Sequence, residues 1–89
     1  MIVTAELSLY PLQDNYEATI IAFIKSLRSN PSLQVSTHAM STFVKGEVDD
    51  VMLAIAKASK SIAYMNNGFS LVTKMINRDL PVEKGFIEF

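Results

Sequence analysis

The stretch from Ile2 to Pro11, Ile-Val-Thr-Ala-Glu-Leu-Ser-Leu-Tyr-Pro, limits what this chain can fold into more than any other. In an extended backbone successive side chains point to opposite faces. Val3, Ala5, Leu7 and Leu9 then share one side, and Thr4, Glu6, Ser8 and Tyr10 the other. The first face is apolar and has to be buried; the second is largely polar and can stay open. Pro11 lacks the N–H that a strand ladder uses, which ends the strand there. The pattern predicts a central strand with helices behind it and a working surface in front.

The chain that follows supplies those helices and neighbours. Asp14 and Glu17 have the spacing of a capping box. They predict a helix from about Asn15 to Ser29, with Ala18, Ile21, Phe23 or Ile24, and Leu27 as its buried stripe. Lys25 and Arg28 sit near its negative end, and Asn30-Pro31 stops it. Leu33, Val35 and Thr37 alternate with Gln34, Ser36 and His38, and Met40 to Lys45 continues in the same way. These two runs predict a hairpin turning near Ala39-Met40, with a single longer bent strand as the alternative. Gly46 opens a second helix, from about Glu47 to Met65, with Glu47, Asp49 and Asp50 at its positive end. Val48, Val51, Met52, Ile55, Ala58 and Ile62 form its inner stripe, and Ala54 and Ala58 allow close approach to the sheet. Asn66-Asn67-Gly68 marks a turn, and Phe69 to Ile76 a last strand. Arg78 to Phe89 closes the chain with Phe86, Ile87 and Phe89, which are too apolar for a free tail and are expected to dock.

The order strand, helix, strand, strand, helix, strand with right-handed crossovers places the first and third strands in the middle. It predicts a ferredoxin-like α+β sandwich, βαββαβ, in which a four-stranded antiparallel sheet carries two helices on one face. Its 89 residues make one domain spanning 1–89. A formal net charge of −1 provides no field for a phosphate backbone, so no nucleic-acid partner is expected. The absence of cysteine removes disulfides, thiolate nucleophiles and cysteine metal sites, and makes the cytoplasm the expected compartment. Neither a signal peptide nor a membrane span is predicted.

Central placement of the first and third strands brings Ser8-Leu9-Tyr10 beside Ser41-Thr42. Hydroxyls and backbone amides beside an aromatic ring suit a neutral heteroaromatic ligand. They do not suit a phosphate, which would want a glycine loop or arginines. The plainer reading makes Ser8, Ser41 and Thr42 ordinary open-face strand residues and Tyr10 an ordinary rim aromatic.

The segment Leu7-Ser8-Leu9-Tyr10-Pro11-Leu12, the acidic residue shortly after it, and the run from Met40 to Val51 resemble the YkoF-like proteins of the wider thiamine-binding ferredoxin-like family. The resemblance covers the first strand through the second helix. It implies a soluble binding protein, not an enzyme, with thiamine or its hydroxymethylpyrimidine half held at the sheet and no other cofactor. Ser8 and Leu9 carry over as strand contacts, Leu9 through its backbone and packing. Ser41 and Thr42 carry over as hydroxyl hydrogen bonds to the aminopyrimidine. Tandem domains in that family against one here imply a homo-oligomer, a dimer or tetramer through sheet faces or edge strands.

Glu6 on the open face is positioned to accept a hydrogen bond from an amino group or attract a thiazolium cation, or else to form an interface salt bridge. Tyr10 and Phe43 can stack on a ligand ring, with core packing the main duty of Phe43. His38, the single histidine, reads as a solvated strand residue. Asp49 and Asp50 are explained by the helix dipole without a metal. Met40, Met52, Met65 and Met75 read as core or interface filler. Two other functions stay open at this point. One is a small ferredoxin-like enzyme in which His38 converges with Glu6 or Tyr10 on an organic acid or ring substrate. The other is a purely structural module whose open face pairs subunits.

Overall fold

The computed structural model describes residues 1–14, 16–65 and 67–82. Strand β1 (Ile2–Pro11) leads to helix α1 (Glu17–Arg28), strands β2 (Gln34–Thr37) and β3 (Thr42–Glu47), helix α2 (Val48–Ile62) with a 3-10 turn at Ala63–Met65, and strand β4 (Phe69–Ile76). All pairings are antiparallel and the sheet order is β2-β3-β1-β4. This is the ferredoxin-like α+β fold. No helix among the described residues is long and apolar enough to cross a membrane.

The alternation in β1 does what its residues require. Val3, Ala5, Leu7 and Val44 face the helices and are buried against Phe23, Leu27, Val51, Ala58 and Ile62, with Leu9 packed at the margin. Each fully buried aliphatic or aromatic side chain contributes roughly 1.5–3 kcal/mol. Local details differ from the sequence pattern where tertiary packing competes. Helix α1 begins after Tyr16, with no side-chain cap bond, so Asp14 and Glu17 do not form the expected capping box. Its buried stripe is Thr19, Phe23, Ile24 and Leu27, while Ala18 is exposed. In α2 the buried set is Val51, Ala54, Ala58 and Ile62, and Met52 turns outward.

Gly46 lies inside β3 and does not open α2, which starts from the extended residue Glu47. Its value is room: a Cβ there would meet Leu33 Cδ2 at 2.6 Å and the Ser32 carbonyl at 3.4 Å. Gly46→Ala is expected to cost about 1–3 kcal/mol by overpacking, read as a lower urea midpoint at unchanged slope. An unchanged midpoint would show that Leu33 moves aside freely. Gly68, by contrast, holds φ +141° at the turn into β4.

Part of the open sheet face is covered by the segment after β4. Thr4 Oγ1 donates to the Arg78 carbonyl (2.8 Å) and accepts from the Leu80 N–H (3.2 Å), so a threonine on the polar face is buried with its hydroxyl satisfied. Lys45 Nζ donates to the Leu80 carbonyl and pairs with Asp79, both at 2.9 Å. The expected docking of Phe86, Ile87 and Phe89 lies outside the described residues.

Candidate functional site

The site arises from a mismatch between two ladders. β1 pairs with β4 as far as Pro11, opposite Phe69, but with β3 only as far as Leu7, opposite Thr42. Among the described residues, Ser8 to Pro11 therefore have a strand partner on one side only. Alternate residues of a strand turn their N–H and C=O groups to each side, so every second residue here aims them away from β4. The β2–β3 turn is closed by the His38 N–H donating to the Ser41 carbonyl at 2.9 Å. Between this turn, the bare end of β1 and the first half of α1 lies a cavity of about 490 Å³. That volume falls in the range of small-molecule sites.

Its walls divide by chemistry. Leu7 and Leu9 from β1 and Ile20, Phe23 and Ile24 from α1 form an apolar side. Ser8, Thr37, His38, Ser41 and Thr42 bring polar groups. Thr37 and Thr42 are opposed on neighbouring strands and both buried, and Arg28 Nη2 donates to Thr37 Oγ1 at 3.5 Å. Tyr10 and Tyr16 also line the cavity while each is more than half exposed, which places them at its mouth.

Five of the six residues singled out in the sequence line this cavity: Ser8, Leu9, Tyr10, Ser41 and Thr42. Glu6 does not. Its carboxylate accepts from the Ser41 hydroxyl at 3.1 Å and pairs with Lys74 of the same chain at 3.3 Å. Glu6 thus orients Ser41 from outside the cavity; the exposed ion pair itself is worth little. The position of the cavity also differs from expectation. It opens between the sheet and α1, because the register opposite Leu7 turns Thr42 toward the helices and not onto the open face.

His38 is not simply solvated. Its Nε2 lies 2.8 Å from the Ser36 hydroxyl, and its ring centroid is 4.8 Å from that of Phe43, which sits on the open side of the sheet. His38 reaches the cavity and Tyr10 its rim, while Glu6 stays with Lys74 and Ser41. Thr37, Tyr16 and Ile20 were not singled out in the sequence. Thr37 had a signal, since it shares the face of Val35 and so puts a hydroxyl on a side to be buried. Among the described residues no group of three or more acidic or histidine side chains could hold a metal ion.

A family model described as thiamine-binding protein matches residues 5–80. No curated protein matches the chain. Solved structures do. A hypothetical protein from Methanocaldococcus jannascii is 24% identical, with 88% of this chain and 81% of that one covered at a TM-score of 0.78. A protein from Streptococcus pneumoniae is 18% identical, with 90% of each chain covered and a TM-score of 0.81. A candidate thiamine biosynthesis/salvage protein from Thermotoga maritima is 17% identical, covering 84% of this chain and 82% of that one at 0.76. At such identities the likeness to these structures is one of fold.

Proposed function

The chain belongs to the thiamine-binding protein family, and we propose that it holds thiamine or its hydroxymethylpyrimidine half, without converting it, in the cavity at the end of β1. The observation that carries this reading is the convergence of Ser8, Leu9, Ser41 and Thr42, from two distant chain segments, on one 490 Å³ space. A flat aminopyrimidine presents donors and acceptors at its edge and apolar faces above and below. The bare backbone edge of Ser8 to Pro11 and the hydroxyls of Ser41 and Thr42 match the edge. Leu9, Ile20 and Phe23 match the faces. The candidate salvage protein of Thermotoga maritima shares the fold and adds a relative whose name points the same way. The working form in this reading is a homo-oligomer.

Isothermal titration with thiamine and with the free pyrimidine tests the proposal. Saturable binding of either is expected, and Thr42→Val is expected to weaken it by about 1 kcal/mol, near fivefold, through loss of one hydrogen bond. Absence of saturable heat with both compounds would remove the assignment.

A further inference from the structure

Two charged side chains stand just outside the cavity and reach it only through hydroxyls. Arg28 ends α1 and extends to β2, where its Nη2 donates to Thr37 Oγ1 at 3.5 Å. No carboxylate among the described residues neutralises this guanidinium. Glu6 stands on the open face of β1, and its Oε2 accepts from the Ser41 hydroxyl at 3.1 Å. Thr37 and Ser41 line the cavity, and the two charged residues do not.

A hydroxyl has one proton to donate and two lone pairs to accept with, and it turns to suit its partners. A guanidinium carries donors and no acceptor, so Thr37 meets Arg28 with a lone pair. The contact is long for a hydrogen bond, but its direction is set by the charge. The Thr37 proton therefore points away from the cation. Among the described residues the Thr37 hydroxyl makes no second bond, and at 3% exposure it finds its next acceptor in the cavity. Ser41 is arranged the other way. Its proton is spent on a carboxylate that also pairs with Lys74, which leaves lone pairs for the cavity.

We propose that Arg28 and Glu6 are positioning residues that set Thr37 as a donor and Ser41 as an acceptor, so that the site selects a 4-aminopyrimidine over its 4-oxo counterpart. This rests on the binding reading above and deepens it. In the amino ring the exocyclic N–H donates and the adjacent ring nitrogen accepts, which suits Ser41 and Thr37 in turn. In the 4-oxo ring both are reversed: the carbonyl oxygen accepts and the adjacent N–H donates. Ser41 then turns lone pairs toward an acceptor, and Thr37 a proton toward a donor. Rotating either hydroxyl to recover the match breaks its bond to Glu6 or to Arg28. Turning the ring over also recovers the match, but it moves the thiazolium arm from the Ser41 side to the Thr37 side. There the Arg28 cation repels it. Two side chains outside the cavity thus decide which edge of a heterocycle it accepts.

Titration of the full chain with thiamine and with its 4-oxo analogue reads this choice, because the two compounds share the thiazolium and differ only at the edge in question. Thiamine is expected to bind about a hundredfold more tightly, near tenfold for each reversed contact. Arg28→Met releases the Thr37 hydroxyl and Glu6→Ala releases that of Ser41. Each variant is expected to cut the ratio of the two affinities about tenfold. A purely structural role for either residue would weaken both compounds together and leave the ratio where it was. The two variants lie on different elements, so Glu6→Ala carries the test if Arg28→Met fails to fold. Equal binding of both compounds by the unaltered protein overturns this proposal and leaves the binding reading standing, as does an unchanged ratio in the variants. Binding of neither compound overturns both.

Discussion

Phe23→Ala is expected to lower the stability of the fold by about 3–5 kcal/mol. Phe23 is 2% exposed and belongs both to the core cluster with Leu27, Val44 and Ile62 and to the wall of the cavity. Deleting its ring removes apolar contact on one side and joins the core to an existing void on the other. The surroundings therefore cannot collapse to heal the gap. Domains of this kind have about 5–15 kcal/mol in total, so the variant stands near the edge of folding. Urea denaturation checks it: the midpoint falls while the slope holds. A loss below about 1 kcal/mol would show that the ring is not a shared wall, and the site would need redrawing.

The second large effect is on selectivity. Thiamine is cationic at its thiazolium ring, and no acidic residue among the described residues lines the cavity. The mouth instead carries Tyr10 and Tyr16, whose ring faces attract a cation. Converting both to leucine is expected to weaken thiamine by about 2 kcal/mol, roughly thirtyfold, at around 1 kcal/mol for each aromatic–cation contact. The free hydroxymethylpyrimidine, which lacks the thiazolium, is expected to bind as before. Titration of both compounds against both proteins reads the difference. Equal weakening of the two would mean that the tyrosines shape the cavity without reading charge. No weakening of either would place the cation elsewhere.

The same linkage gives a simple readout of occupancy. Thiamine at a hundred times its dissociation constant stabilises a one-site protein by about 2.7 kcal/mol. For a domain of this size that raises the melting temperature by roughly 10–20 °C. Applied to Phe23→Ala, the shift separates a site that survives on a weakened fold from one lost together with its wall.

Most of the architecture could be read from the chain because it rests on periodicity. The alternation of Ile2 to Pro11 decides which residues of β1 go inward, and the β4 boundaries at Phe69 and Ile76 follow from Gly68 and the apolar run after it. The helices were legible as elements and largely in their facing, since Phe23, Ile24, Leu27, Val51, Ala58 and Ile62 are buried as their spacing requires. The exceptions are Ala18, exposed where its neighbour Thr19 is buried, and Met52, which turns outward while Ala54 is buried. Close packing against the sheet chose the smaller or β-branched side chain for the inside. The tertiary fold also brought Thr37 and Tyr16 to the cavity, one through the hairpin and one through the entry into α1.

What the amino-acid order determined alone was local: strand and helix periods, their sequence, and the hydroxyl-bearing segments at Ser8 and at Ser41-Thr42. Where those segments meet was decided only by long-range register, the pairing of Leu7 with Thr42 across 35 positions and the earlier end of the β1–β3 ladder. Side chains change face with every one-residue slip, so period alone is compatible with Thr42 on either side of the sheet. Burial of Val3, Ala5, Leu7 and Val44 together under two helices selects one register, and that selection puts the cavity beneath α1 and leaves Glu6 outside it.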